Sequence, residues 1–529
     1  MKKKAPWTSL ILKQWLFLII LTVVISTSQC TRPPEVIKIS GQVVTEEEGI
    51  PLTGATVRIQ ATENETITDG DGRFTLEVLE ENLTVTVSAW KHDHYCAKVE
   101  GVTPPAIDIT LTLRPYQTND NPEYEWVPPI GDDSCASCKS GMTQLWLENA
   151  HAGAGTNPRF FSMYNGTDIS GTRSVFPSYQ SDFPGTVGNC ATCHAPGEAL
   201  DEPFNTNMNA LTGVNTFGVH CDLCHKIAEV YLNPATGLPY DNMPGVFSMD
   251  VRRPFPQSER YQLFFGTFDD DNVPEEDTYL PLIEKSQFCA PCHQFSFWGT
   301  PIYQSFGEWL ESPYPEQGVE CQTCHMPSDG VVANVAPGQG GVERDPLTIH
   351  AHTQPGAADE DLLQETVEMR VQTDRIGDLL QVTVTITNTQ AGHHVPTDYP
   401  GRHMLLIVEV TDEDKQVLPK VAGSTIPDWG GDFAGQPGII YAKVLRDVEN
   451  NDFPVVSYWK QTIIVSDNRI PAFASDMSTY TFKTDGGKAS VEVNLIFRRL
   501  YQPIAELYGW DFQDIVMESA MLIVEGLSQ

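Results

Sequence analysis

The chain carries different rhythms of apolar and polar residues along its length. Between residues 36 and 114 the rhythm has period two. Leu83-Thr-Val-Thr-Val-Ser-Ala89 and Ile107-Asp-Ile-Thr-Leu-Thr-Leu113 alternate as half-buried strands do. Turn residues at Glu48-Gly49, Thr53-Gly54 and Asp69-Gly-Asp-Gly72 separate the runs. This predicts a small N-terminal β-sandwich. The last turn imitates a calcium loop, with Glu80 at its twelfth position. Phe74, however, stands where such a loop needs Gly, and Arg73 would put a positive charge among the ligands, so a hairpin turn is expected instead.

Period two returns in residues 360–529. Val382, Val384 and Ile386 alternate with Thr383, Thr385 and Thr387, and further runs cover Met404–Val410, Thr479–Phe482 and Val491–Phe497. Asp485-Gly-Gly487 reads as a hairpin turn between the last two. A second β-sandwich follows. Residues 115–130, with Pro115, Pro122, Pro128 and Pro129, read as a linker. Residues 131–358 show weak periodicity and much Pro, Gly and aromatic content. Two loops interrupt them, the acidic 269–277 stretch and Pro337–Gly341. The expected fold class is multidomain: an N-terminal β-sandwich, an α/irregular core with little regular structure, and a C-terminal β-sandwich. At 529 residues the chain has room for three or four domains.

Residues 1–29 have the form of an export signal, with lysines before an apolar run, Trp15–Ile25, that is too short to span a membrane. An exported location, periplasmic or at the cell surface, is expected. Cys30 follows directly, so a lipid anchor there is the alternative to a cleaved soluble form, although Gln29 departs from the small residue a lipobox places before its Cys. The chain has 33 basic and 70 acidic side chains, a net charge of −37. Such a surface repels nucleic acid and anionic lipid and suits a basic redox partner, although solubility outside the cell accounts for it equally well.

Ten of the twelve cysteines form five C-x-x-C pairs: Cys135/Cys138, Cys190/Cys193, Cys221/Cys224, Cys289/Cys292 and Cys321/Cys324. Four continue directly into histidine: His194, His225, His293 and His325. C-x-x-C-H is the attachment motif of haem c. Two thiols add to the two vinyl groups of one porphyrin, and the next residue lies under the iron as its proximal ligand. A zinc ribbon or a disulfide framework gives no reason for the trailing histidine, and a thioredoxin-like site expects one motif in a βαβ pattern. Five haems c are therefore expected, taking the place of a side-chain core in residues 131–358. Cys30 and Cys96 are left over.

Sixth ligands must come from the other histidines. His151, in Trp146-Leu-Glu-Asn-Ala-His151, ends a short amphipathic segment after the first motif. His220 abuts Cys221 and would serve a neighbouring haem. His350 and His352, two apart, share a face in an extended chain. His393 and His394 point oppositely on a strand, so one of them ligates. His92, His94 and His403 read as ordinary histidines.

Several segments together resemble bacterial multihaem cytochromes that join a cytochrome c552/c554-like haem domain to a C-terminal β-domain. They are Trp146–His151 with Asn157-Pro-Arg-Phe160, Gly218–Ile227, Phe288–Phe295, Gly318–Met326, Ala391-Gly-His-His-Val-Pro-Thr397 and Asp467–Ile470. The resemblance implies respiratory electron transfer, with histidine on both faces of most irons and one of His393 and His394 among the ligands. Gly41-Gln-Val-Val, Gly54-Ala-Thr-Val and Thr68–Phe74 resemble the non-catalytic carboxypeptidase regulatory-like β-sandwich.

The first motif ends in Lys139. A neutral amine binds iron only once its pKa is drawn well down. The motif resembles the catalytic haem of pentahaem cytochrome c nitrite reductases, although there a C-x-x-C-H precedes the Lys motif and here the Lys motif comes first. His151 stands ready to close the sixth position of that haem. Arg159, Tyr164 and Arg173 lie near in sequence. The leading expectation is an electron conduit. The alternatives are a reductase of nitrite or hydroxylamine at the Lys139 haem and a homo-oligomeric, filament-forming cytochrome.

Overall fold

The structure is a computed structural model that describes residues 36–78, 83–255, 262–270, 273, 277–511 and 513–526. The expected export signal, Cys30, Glu80 and most of the acidic loop lie outside these residues. The chain divides into two compact units, Met1–Pro115 and Tyr116–Gln529.

The first unit is a two-sheet β-sandwich. One sheet has the order β4 (Arg73–Val78), β1 (Ile37–Thr45), β7 (Ala106–Leu113). The other has β3 (Glu65–Ile67), β2 (Thr56–Ile59), β5 (Val85–Trp90), β6 (Ala97–Val102). Alternation decides what is buried: β4 turns Phe74, Leu76 and Val78 inward and its other residues outward. These meet Ile39, Val43, Val57, Val87 and Leu111 in one core. The Asp69–Gly72 turn works through its side chain, since Asp69 Oδ1 accepts from the backbone N–H groups of Asp71 (3.0 Å) and Arg73 (2.8 Å). Gly72 has φ +69°, and a Cβ there would lie 2.6 Å from the Val43 carbonyl oxygen. The turn joins β3 of one sheet to β4 of the other. It is a corner, not the expected hairpin.

The second unit begins with irregular chain, where helices of one or two turns alternate, among the described residues, with three short strand pairs. These are β8 (Ile227–Val230) with β9 (Met249–Val251), β10 (Phe264–Gly266) with β11 (Asp277–Tyr279), and β12 (Phe295–Phe297) with β13 (Thr300–Tyr303). The stretch read as a linker packs into this region. The carboxylate of Asp222 accepts from the Tyr124 hydroxyl (2.9 Å) and the Val127 N–H (3.0 Å) and pairs with Lys226 at 2.6 Å. Proline signalled the lack of regular structure correctly but said nothing of the aromatic residues between the prolines, which have surface to bury.

The chain then forms a larger antiparallel sandwich. Its first sheet is ordered β14 (Val367–Ile376), β15 (Leu379–Asn388), β20 (Ser475–Lys483), β17 (Lys420–Ala422). Its second is ordered β19 (Thr462–Asp467), β18 (Gly438–Asp447), β16 (His403–Asp412), β21 (Ala489–Arg498), β22 (Ile515–Val524). Leu380, Val382, Val384 and Ile386 of β15 face Leu406, Val408, Val491 and Val493 across the core. The Asp485-Gly-Gly487 turn joins β20 to β21 in the other sheet, a second corner where a hairpin was expected. Turn chemistry reports that the chain reverses; it does not report which sheet the next strand enters.

His403 at the start of β16 is fully buried and stacks on Tyr501 at 5.0 Å between ring centroids. Its Nδ1 donates to the Gly401 carbonyl at 3.0 Å. Burial pushes its pKa down to about 4 from 6.5, with the Gly401 bond and Asp514 opposing and Arg498 assisting. Between those values the unfolded chain binds the proton and the folded chain does not. Stability at this site is therefore intact above pH 6.5 and lost as the pH falls towards 4, by about 3 kcal/mol in all. His403→Phe keeps the stacked ring without the titration. Urea unfolding at pH 7 and pH 4.5 should show a smaller acid loss for the variant than for the wild type, and equal losses would refute the assignment.

Candidate functional site

Each C-x-x-C segment forms about one turn of helix: Cys135–Cys138, Ala191–His194, Cys221–Cys224, Ala290–His293 and Cys321–His325. Residues three and four apart in such a turn share a face, so the two thiols and the residue that follows converge. Local caps hold the turns. Ser137 Oγ accepts from the Ser134 N–H (3.2 Å), and Thr323 Oγ1 accepts from the Glu320 N–H (3.2 Å). The Glu320 carboxylate in turn accepts from the Ser286 N–H (2.9 Å) and hydroxyl (2.7 Å).

The second, third and fourth motifs and Lys139 line one cavity of about 1420 Å³. Thiols of different motifs lie close enough to perturb one another's ionisation: Cys221 with Cys135, Cys292 with Cys193, Cys289 with Cys321, and Cys224 with both Cys289 and Cys292. Burial pushes Cys190 and Cys224 up to about 12, so both are neutral thiols at pH 7.

Six histidines meet in three opposed pairs, His225 with His352, His151 with His293, and His325 with His393, each with ring centroids 6.3 Å apart. Two imidazoles bound on opposite sides of one metal, with metal–nitrogen bonds of about 2 Å, have centroids about 6.3 Å apart. In each pair one member follows a C-x-x-C and the other comes from elsewhere in the chain. All six hold Nδ1 against an oxygen: Phe265 O for His225 (2.5 Å), His350 O for His352 (3.2 Å), Pro355 O for His325 (2.7 Å), His394 O for His393 (2.9 Å), Asp398 Oδ2 for His293 (3.3 Å) and Gln354 Oε1 for His151. An Nδ1–H that donates leaves the Nε2 lone pair for a metal. Burial pushes His225 down to about 3 and His325 down to about 4, and it lowers His151 and His352, so these rings are neutral and able to ligate. His293 is raised, because Asp398 outweighs burial.

The other expected ligands fall differently. His350 lines the cavity and donates from Nδ1 to Met326 O at 2.8 Å, the same tautomer as the pairs. His194 lines the cavity, is pushed by burial down to about 4, and stacks on Phe160 at 4.3 Å. His220 caps the third motif: its Nδ1 accepts from the Leu223 N–H at 3.2 Å, and its ring packs edge-on against Trp126 at 5.1 Å. Its Nε2 is buried and makes no hydrogen bond. His394 lies against Glu308, 3.5 Å from Oε1. Lys139 places Nζ 4.7 Å from the centre of the Phe264 ring, which itself stacks on His225 at 3.9 Å. His151, expected beside Lys139, is instead matched with His293.

Sequence reasoning missed Asp398 and Glu308. Asp398 accepts from the backbone N–H groups of Gln304 (2.9 Å) and Ser305 (3.0 Å) as well as from His293. Burial alone would raise its pKa, but its partners hold it well below the usual carboxylate range. Among the described residues no three His, Cys, Asp or Glu side chains gather as a metal-binding cluster. The imidazoles meet in twos with a gap between, which suits a planar, metal-centred cofactor.

Comparison with known proteins adds the following. Residues 39–121 match the family model of the CarboxypepD_reg-like domain. A search of curated proteins finds no match to the chain. Among solved structures, a penta-heme cytochrome c552 from Thermochromatium tepidum is 19% identical with a TM-score of 0.56, over 76% of this chain and all of that one. A type II cohesin–X-dockerin complex from Acetivibrio cellulolyticus matches 14% of this chain and 51% of that one, at 23% identity and a TM-score of 0.12. A PapD-like domain of human CEP192 matches 31% of this chain and 87% of that one, at 10% identity and a TM-score of 0.14. The last two are too partial to bear on the architecture. The chain thus carries a CarboxypepD_reg-like domain near its N-terminus and shares the fold of a penta-heme cytochrome c552.

Proposed function

We propose that the protein is a multihaem c-type cytochrome that moves electrons through five covalently held haems. The observation that carries this reading is the set of three imidazole pairs, each at 6.3 Å and each with one member in a C-x-x-C-H motif. The neutral thiols and the large shared cavity fit the same group. Haem iron supplies reversible one-electron chemistry when bound. The chain's own part is to tether, orient and tune. Ten cysteines would anchor the haems, and His194, His225, His293, His325 and Lys139 would hold the irons next to those anchors. His352, His151 and His393 oppose His225, His293 and His325, and His350 remains a candidate for a further iron. Thiols act electrostatically on one another between the first and third motifs, between the third and fourth, and between the fourth and both the second and the fifth, which supports this order of tethering points. The fourth is the branch point.

Maturation of the full chain in a host that attaches haem tests this directly. Intact mass should exceed the polypeptide by five haems, and a Cys190→Ala/Cys193→Ala variant should lose one. A mass equal to the bare polypeptide would overturn the reading. A second test concerns tuning. The Asp398 carboxylate strengthens His293 as a donor and so favours ferric iron. Asp398→Asn should move one of five midpoint potentials positive in a redox titration at unchanged haem content; a superimposable titration would exclude that role.

A second reading, reduction of nitrite or hydroxylamine at the Lys139 haem, gains from one observation: His151, expected to close that iron, opposes His293 instead. It requires a high-spin signal, in paramagnetic resonance of the oxidised protein, that disappears in Lys139→His. Export to the periplasm or cell surface, with redox proteins as donor and acceptor, completes the proposal.

A further inference from the structure

The third motif carries a carboxylate that tethering does not need. Asp222 follows Cys221, and Lys226 stands four residues on. Their side chains are each 1% exposed, with Lys226 Nζ 2.6 Å from Asp222 Oδ1. Replacing a buried ion pair by apolar side chains of similar volume is often neutral or stabilising, so the pair is a weak source of stability. What it supplies is direction. Asp222 Oδ2 accepts from the Tyr124 hydroxyl (2.9 Å) and the Val127 N–H (3.0 Å). Lys226 Nζ also donates to the Leu263 carbonyl. The third motif, residues 124–127 and Leu263 therefore meet at one charge pair.

Two of these stretches lead on to the first motif. Directly after Val127, the Pro128 and Pro129 carbonyls accept from the N–H groups of Cys135 and Ala136, each at 3.0 Å. The Cys135–Cys138 turn thus starts on the segment that Asp222 holds. Directly after Leu263, Phe264 sets its ring centre 4.7 Å from Lys139 Nζ and 3.9 Å from that of His225. Phe265 O then accepts from His225 Nδ1 at 2.5 Å. Tyr124 and Trp126 pack edge-on at 5.3 Å, and Trp126 meets His220 at 5.1 Å.

We propose that Asp222 and Lys226 are positioning residues. Their buried pair clamps residues 124–129 and Leu263–Phe265 to the third motif, and so sets the first motif, with Lys139, against His225. The consequence for electron flow rests on the haem reading above. The first and third haems would take their separation and surroundings from this clamp, since a protein's part in cofactor chemistry is position and electrostatics. Both residues act through other groups.

The test compares the full-length, haem-matured wild type with Asp222→Leu/Lys226→Met, which removes both charges, and with Tyr124→Phe, which removes one bond and alters no charge. Amide hydrogen exchange needs no haem. Over residues 134–138 it should be about tenfold faster in the double variant and a few-fold faster in Tyr124→Phe, with β15 unchanged in both. A redox titration should move two midpoint potentials and leave the others in place. A pair that only added stability would move none, and a shift in Tyr124→Phe reports position rather than charge. Local acceleration with two shifted potentials supports the proposal. Unchanged exchange over residues 134–138 overturns it whatever the haem content. So does acceleration spread evenly over the protein, or local acceleration with every potential unmoved. Local acceleration in a chain that carries no haem supports the clamp and sinks the haem reading instead, which keeps the two failures apart. If the double variant does not accumulate, Tyr124→Phe decides by the same criteria.

Discussion

On the haem reading proposed above, His393→Ala is expected to convert one iron from low to high spin, while His394→Ala leaves every iron as in the wild type. The two histidines are neighbours in sequence, and sequence alone left the choice between them open. The structure separates them. His393 faces His325 with centroids 6.3 Å apart and rings 17° from parallel, and its Nδ1 donates to the His394 carbonyl. His394 turns to Glu308. Losing one strong axial nitrogen from a six-coordinate iron leaves an open position, so the variant should also gain exogenous-ligand binding and show one raised potential. Paramagnetic resonance of the oxidised protein checks this. Unchanged spin states in His393→Ala, or a high-spin iron in His394→Ala, would reverse the assignment. His352→Ala and His151→Ala should behave as His393→Ala does, each at a different haem.

How much of this was legible in the sequence depends on how local each feature is. The alternation of Leu380, Val382, Val384 and Ile386 placed a strand correctly because burial on one face of β15 writes directly into its own sequence. The two Gly-rich turns were found but misassigned as hairpins, since sheet membership is set by distant partners. The C-x-x-C segments were legible because two thiols and a histidine must share one helical turn. The pairing of His151 with His293 was not, because His151 is brought to its partner by tertiary packing and no spacing rule links them. Adjacency to Cys221 drew attention to His220 as a ligand to a neighbouring haem; what it could not show is that the same ring also stands at the N-cap of the third motif, where its Nδ1 accepts from the Leu223 N–H. Asp398 and Glu308 carried no motif of their own; only the fold shows what they brace.

Glu308→Ala should be the most damaging single change near the site, destabilising the protein by about 3–5 kcal/mol. Glu308 lies on the Ser305–Leu310 helix with its side chain 5% exposed. One oxygen pairs with Arg469 at 2.8 Å; the other accepts from the His394 N–H (3.1 Å) and the Thr397 hydroxyl (2.7 Å). One carboxylate therefore ties the segment that carries His393 to the helix that follows the fourth motif. Truncating it leaves Arg469 buried with Asp467 as its remaining acidic partner, and it strips two donors of their acceptor. The loop would loosen, and a fraction of the iron between His325 and His393 should turn high-spin even though neither ligand is altered. Glu308→Gln keeps an acceptor oxygen but not the charge, so it should cost less stability and hold more of that iron low-spin. Arg469→Met in the Glu308→Ala background should recover part of the stability, since removing both charges is cheaper than stranding one, yet it should not restore the spin state, because the His394 and Thr397 donors remain unanswered. Denaturant unfolding paired with spin-state measurement on the same four proteins separates the two effects. If stability and spin state recover together in the double variant, Glu308 acts only through its ion pair and not by holding the ligand loop.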